Sequence, residues 1–249
     1  MVSYPDFDLN KREKIVDLNF INRATKGVYE LGSVFKTFTV AAGLEEGLIN
    51  TDTEFLNLEK RLQCGKSSIS EYDNKIPSDL TVEQILIRSG NIGSVRIGQK
   101  LEIIKLKAFL EKIGILSKIN FDIEEVGEPI PFKWGKCKLA TVSFGHGITT
   151  TPLQLAKAYA IISNGGFAVE PSLIKNELKN YQKKKRIIKA GISEKINPIL
   201  RKIVTTKEGT AGFVNIEGYE VGGKTGTAQK TIVGGYSKAK VNTFAGIFP

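Results

Sequence analysis

The sequence predicts an α/β (α+β) fold with helices packed on an antiparallel sheet, on three observations. Apolar residues recur at helical spacing through much of the first 205 positions, capping signals mark helix starts, and the chain then changes to β-like segments around a glycine pair. At 249 residues it is long enough to bury a substantial core.

The opening, Met1 to about Lys26, has an extended start (Val2-Ser3-Tyr4-Pro5) followed by polar, charged residues, and predicts a strand end and a loop. From Ser33, residues Val34, Phe35, Phe38, Ala41 and Ala42 form a buried helical stripe that closes at Gly43 to Gly47. Thr81-Val82-Glu83-Gln84 is a capping box, opening a helix that turns Ile85, Leu86 and Ile87 inward and ends near Ser89-Gly90-Asn91. A further helix spans about Ile103 to Ile113. The next has Thr151 as N-cap and Pro152 at its first position, and stops at Asn164-Gly165-Gly166. Ser193 to about Thr205 reads as a last helix. Tyr219 to Lys230 and Lys240 to Phe248 are β-like and joined by the loop Gly234-Gly235-Tyr236-Ser237. There is no internal repeat or low-complexity linker.

A hydrophobic fraction of 41% with 25% charged residues describes a soluble, globular chain. The net charge of +10 raises nucleic acid, an anionic surface or an acidic substrate as partners. The lysines are scattered, however, and the one dense run, Lys183-Lys184-Lys185-Arg186, lacks interleaved aromatics. It reads as a solvated loop, and no nucleic-acid partner is expected. No stretch approaches the roughly 20 apolar residues of a membrane span, and no basic region with an apolar core opens the chain. As it stands it is expected to be neither anchored nor exported. Cys64 and Cys137 belong to no CxxC pair. A metal site or redox dithiol is not expected, and unpaired structural thiols are favoured over a disulfide.

The chemistry begins at Ser33-Val34-Phe35-Lys36. A serine is a poor nucleophile without a base, and on a helix the residue three positions on shares its face, so the Lys36 amine can reach the Ser33 hydroxyl. Gly32 permits a sharp entry, and the first amides of the helix face a developing oxyanion. Ser172-Leu173-Ile174-Lys175 repeats the pattern but reads as a strand, where the two side chains point apart. Ser89-Gly90-Asn91 at a helix end offers a hydroxyl and an amide to the same cleft. Lys224-Thr225-Gly226-Thr227 follows Gly222-Gly223 in a β-like segment, where Gly226 admits a ligand close to the backbone. Taken singly, these are also what a capped helix end and a surface strand contain. His146, the only histidine, lies between glycines and reads as a hydrogen-bonding residue of a tight turn beside the site. Trp134 reads as packing.

The ordered set S-x-x-K, S-x-N and K-T-G matches the pattern of serine β-lactamases and penicillin-binding proteins. Further segments resemble the division-specific (FtsI-type) class B penicillin-binding proteins. They are Asn22 to Glu30, Ser143-Phe144-Gly145-His146-Gly147-Ile148 with Thr151-Pro152-Leu153-Gln154-Leu155, and Gly222 to Gln229. The resemblance runs over nearly the whole chain, from Met1-Val2-Ser3-Tyr4-Pro5 to the closing Phe244-Ala245-Gly246-Ile247-Phe248-Pro249.

The resemblance implies a serine D,D-transpeptidase of the penicillin-binding fold, without cofactor or metal, that cross-links peptidoglycan. Ser33 would be acylated by the penultimate D-alanine of a pentapeptide stem, with Lys36 as base. Ser89 and Lys224 would pass the proton to the leaving amine, Asn91 would hold the donor, and Thr225, Gly226 and Thr227 would bind its carboxylate end. The Ser33 and Thr227 amides would form the oxyanion hole, and β-lactams would trap Ser33. It also implies divisome membrane partners, including the septal glycosyltransferase, on the periplasmic side of the inner membrane at the septum. Family members carry a membrane anchor and a pedestal before this region and further strands around it, so residues 1–249 are expected to be one transpeptidase domain truncated at both ends and lacking central strands. The alternatives are an elongation-specific relative, a β-lactam-binding sensor and a serine β-lactamase.

Overall fold

The computed structural model describes residues 1–5, 8, 10–11, 20–65, 67–175, 185–232 and 235–248. The apolar run after Leu31 folds as a 3-10 turn, Gly32–Phe35, leading into helix α1, Lys36–Glu45. The sequence predicted a one-sided stripe there. Instead every residue of α1 is buried, because helices enclose it on all sides and its polar side chains find partners inside. Thr37 shares a hydrogen bond with Tyr159 (2.9 Å) and Thr39 donates to the Ser143 carbonyl (2.8 Å).

Helix α2, Val82–Ile87, starts at the predicted capping box: Thr81 Oγ1 accepts from the Gln84 N–H and Gln84 Oε1 accepts from the Thr81 N–H. The following helix, α3, runs Asn91–Lys112 with a kink at Glu102, so it begins well before the predicted Ile103. Its first half contains Gly93 and Gly98, poor helix formers whose presence hid it. Packing explains Gly98: a Cβ there would lie 1.8 Å from Ser143 Oγ. Helix α4, Lys136–Val142, is too short to show a period and was not foreseen. Helix α5, Pro152–Ser163, has the predicted Thr151 cap and the predicted stop at Asn164, and α6, Ala190–Thr205, begins three residues before the predicted Ser193.

Strands β5, Gly222–Ile232, and β6, Gly235–Ile247, pair antiparallel from Gly222↔Ile247 to Ile232↔Gly235, with a bulge between Gln229 and Thr231. Tyr236 and Ser237 therefore lie within β6 rather than in a loop; Gly234 lies outside the described residues. Two small antiparallel pairs escaped the sequence reading because each strand has two to four residues. These are β1 (Glu54–Phe55) with β4 (Leu80–Thr81) and β2 (Arg61–Cys64) with β3 (Ser67–Ser70). Up to Lys26 no strand occurs among the described residues, and the stretch 171–175 forms bends, not the expected strand.

The expectation for the cysteines is corrected: Cys64 and Cys137 form a disulfide with Cα atoms 5.4 Å apart. The fold brings the end of β2 against the start of α4, although 73 residues separate the two in sequence. Of the basic run, Lys183 and Lys184 lie outside the described residues. Lys185 and Arg186 are exposed, as a solvated segment would be, and Arg186 also lies over Phe167 at 4.4 Å and donates to the Gly165 carbonyl (3.0 Å). Trp134 packs on Phe132, ring centroids 5.0 Å apart. Among the described residues no helix is long and apolar enough to cross a membrane.

Candidate active site

Three segments far apart in sequence converge on Ser33. The first is its own 3-10 turn, entered through Gly32 at φ +65, a left-handed conformation that glycine adopts without a Cβ clash. The turn is pinned from behind by Tyr159, whose hydroxyl donates to the Val34 carbonyl (2.8 Å). Ser33 is half-buried, while Lys36, the first residue of α1, is fully buried.

The second segment is the junction between α2 and α3. The Gly90 N–H bonds the Ile85 carbonyl (2.9 Å) and the Ser89 N–H the Leu86 carbonyl (3.3 Å), the paired reverse bonds of a Schellman ending. That ending places Ser89 at φ +56, where glycine is the usual occupant. A serine held there carries backbone strain of about 1–3 kcal/mol, and it delivers a hydroxyl to the centre of the site.

The third segment is β5. It approaches the nucleophile turn so closely that a Cβ on Gly226 would lie 2.2 Å from the Leu31 carbonyl oxygen. Strand alternation sends Lys224 to one face and Thr225 and Thr227 along the other. Thr225 shares a hydrogen bond with Thr210 (2.7 Å), and Thr227 donates to Asn242 (3.1 Å).

At the meeting point, Ser89 Oγ accepts from Lys36 Nζ (3.1 Å) and from Lys224 Nζ (2.8 Å). Lys36 also donates to the Ser89 carbonyl (2.5 Å) and Asn91 Oδ1 (2.7 Å), so among the described residues its hydrogen-bond partners are on the Ser89 segment rather than on Ser33. Burial lowers the Lys36 amine to about 7, against which the Glu71 carboxylate pulls upward. Lys224 is held well below the ordinary lysine range, first by burial and then by the charge of Lys36. Two buried amines sharing one hydroxyl repel each other when both are charged, so their titrations are coupled, with Lys36 brought to about 7.

Ser33, Ser89, Asn91, Thr210, Thr225 and Thr227 line one cleft of about 550 Å³. All the predicted site residues are thus at or directly behind this cleft, Lys36 and Lys224 from its buried side. Thr210 was missed; its signal was the small-residue string Gly209-Thr210-Ala211-Gly212 between a helix and the hairpin. Glu71 was missed because nothing in its local sequence marks it. His146 sits at the rim as expected of a turn residue, its ring between Phe144 (6.1 Å) and Tyr236 (4.9 Å) and its Nδ1 3.4 Å from Glu30. The second S-x-x-K is not assembled for catalysis, because the Ser172 hydroxyl donates to Asp122 (2.6 Å). A larger groove of about 840 Å³, between α5, α6 and β6, is lined by apolar residues such as Leu155, Pro198 and Phe244 and holds none of the candidate residues.

The family model described as the penicillin binding protein transpeptidase domain matches residues 1–249. The chain belongs to this family. It is 31% identical over its whole length to the probable peptidoglycan D,D-transpeptidase FtsI of Caulobacter vibrioides, covering 43% of that protein. It is 31% identical to stage V sporulation protein D of Bacillus subtilis, covering 41% of it. It is 30% identical to the probable peptidoglycan D,D-transpeptidase PenA of Neisseria flavescens, covering 62% of it. The chain thus spans about half the length of these curated relatives. The apo transpeptidase domain of penicillin-binding protein 3 from Burkholderia pseudomallei superposes with a TM-score of 0.82 at 25% identity, over 90% of this chain and 68% of that one. This similarity extends the likeness from the motifs to the penicillin-binding transpeptidase fold.

Proposed function

We propose that the chain catalyses acyl transfer in a serine D,D-transpeptidase that joins peptidoglycan stem peptides, with Ser33 as nucleophile. The observation that carries this reading is the Ser89 hydroxyl shared by two buried lysines, one of them titrating near neutrality, beside a half-exposed serine. Neutral Lys36 takes the Ser33 proton as Oγ bonds to the carbonyl carbon of the penultimate D-alanine. The negative oxygen faces the Ser33 and Thr227 amides. Ser89 and Lys224 pass the proton to the amine of the terminal D-alanine as its C–N bond breaks. Asn91 holds the donor amide, while Thr225, Gly226 and Thr227 receive the terminal carboxylate. The acceptor stem's amine then attacks the ester carbon, gives up a proton through the same groups, and restores the Ser33 hydroxyl. A β-lactam, acylating the same oxygen, stays attached.

Labelling with a fluorescent penicillin followed by peptide mapping is the test. The adduct is expected on Ser33, and an adduct on Ser89 or Ser172 overturns the assignment. A Lys36→Ala protein should be acylated about 10²- to 10⁴-fold more slowly. Lys36→Arg should not rescue, since a guanidinium keeps its proton. An acyl-enzyme that persists for minutes supports a transpeptidase or a β-lactam-binding sensor, and rapid turnover supports a β-lactamase.

Within this class we assign the chain to septal synthesis, with divisome membrane proteins and the septal glycosyltransferase as partners on the periplasmic side of the membrane. The similarity to the probable peptidoglycan D,D-transpeptidase FtsI of Caulobacter vibrioides supports it. Depletion in the parent bacterium should give filaments; rounded cells would favour the elongation-specific alternative.

A further inference from the structure

Beside the three motif segments, a fourth reaches Lys36. Glu71 follows β3, and both its carboxylate oxygens are used at the start of α3: Oε2 accepts from the Asn91 N–H (2.6 Å) and Oε1 from the Ile92 N–H (2.9 Å). The N-cap of that helix is Gly90, which has no side chain to satisfy these amides, so the cap comes from another element. One residue earlier, the Ser70 carbonyl accepts from Asn91 Nδ2 (2.8 Å). Asn91 is therefore held by its main chain and by its amide nitrogen, which leaves Oδ1 facing the Lys36 amine at 2.7 Å.

We propose that Glu71 is a positioning residue for acylation: it fixes Asn91, through Asn91 it orients the Lys36 amine, and it supplies negative charge to that buried amine. The inference rests on the reading of Lys36 as the base. A plain helix cap would need only the two N–H contacts. This one also has a charge that acts on Lys36, where it opposes the effect of burial. Without it the amine would lose its proton at lower pH and be a weaker base when it acts. The other charged or titratable groups around the pair are Lys224 across Ser89, Tyr72 and Asp73 next in the chain, and Arg88, whose carbonyl accepts from the Tyr72 hydroxyl (3.0 Å). None of these contacts the α3 amides that Glu71 holds.

The test is the pH profile of acylation of the protein by a fluorescent penicillin, measured for wild type, Glu71→Gln and Glu71→Asp, with thermal unfolding followed in parallel. Glu71→Gln keeps one acceptor and loses the charge. It should move the rising limb of the profile about one unit toward acid and lower the plateau rate about tenfold or more. Glu71→Asp keeps the charge on a shorter arm, so its limb should stay near the wild-type position while the plateau falls. A limb that does not move in Glu71→Gln, with rates falling only as the fold loosens, overturns the proposal and leaves a structural cap. If Glu71→Gln does not fold, a shifted limb in Glu71→Asp overturns it and an unshifted one with a reduced plateau supports it. Absence of Ser33 labelling in the wild type would instead sink the underlying functional reading, so the two failures are distinct.

Discussion

At the scale of single residues, the candidate site is built from two buried amines around one hydroxyl. Since Lys36 is lowered to about 7, acylation should rise with pH through an apparent value near 7 and fall about tenfold per unit below it. A flat profile between pH 5.5 and 8 would show that proton removal from Lys36 is not required. The depressed amines also cost stability. An unfolded lysine binds a proton up to about 10.4, so the Lys36 penalty is full below pH 7 and shrinks as pH rises toward that value. Ser89 is the second residue-scale device, a hydroxyl kept in a left-handed position where glycine would be at ease. Ser89→Gly should therefore leave the melting temperature unchanged or higher while acylation drops by about 10² or more. A marked loss of stability with acylation intact would reverse the reading of that residue.

At the scale of elements, the site depends on close approach between β5 and the nucleophile turn. Gly226→Ala would put a methyl group against the Leu31 carbonyl and push the strand outward. A displacement of about 1 Å can cost roughly 10²-fold, so acylation should fall by that order even where circular dichroism shows a native fold. The β2–β3 hairpin is a second such element, because Ser70 and Glu71 hold Asn91 from its far end. The Cys64–Cys137 disulfide ties the hairpin to α4 across 73 residues. Closing a loop of this size removes unfolded-state freedom worth about 3–4.7 kcal/mol on the chain-entropy model. The paired Cys64→Ala and Cys137→Ala protein should melt several degrees lower and acylate more slowly, as compared with wild type by calorimetry and penicillin labelling. Equal melting points would mean that the hairpin is held without the bond.

Across the whole molecule, one carboxylate joins the ends of α1 and α3 that lie away from Lys36 and Asn91 to the start of α6. Glu45 at the end of α1 is buried, accepts from Lys112 Nζ (3.0 Å) on α3, and accepts from the Lys189 N–H (2.9 Å) just before α6. Lys189 Nζ bonds its main-chain carbonyl as well (2.5 Å). Glu45→Ala removes the carboxylate hub and should cost about 1–3 kcal/mol, a drop of several degrees in melting temperature. Its acylation pH profile should keep the wild-type position at a temperature where the protein is folded. A shifted profile would mean that the scaffold and the base are coupled more widely than through Glu71.

The helices with capping boxes, the turn to β structure near residue 220 and every motif residue of the site were legible in the sequence, because capping, periodicity and S-x-x-K spacing are local relations. Chain order also placed S-x-N between the serine and K-T-G. What a local reading could not supply were relations between distant segments. The pairing of Cys64 with Cys137, the packing of Gly98 in α3 against Ser143, the capture of Ser89 by both lysines and the grip of Glu71 on Asn91 all join residues separated by tens of positions. Nor could the state of the amines be read from residue type. An exposed lysine is charged at neutral pH, and only enclosure on all sides in the folded core brings Lys36 to the edge of being a base.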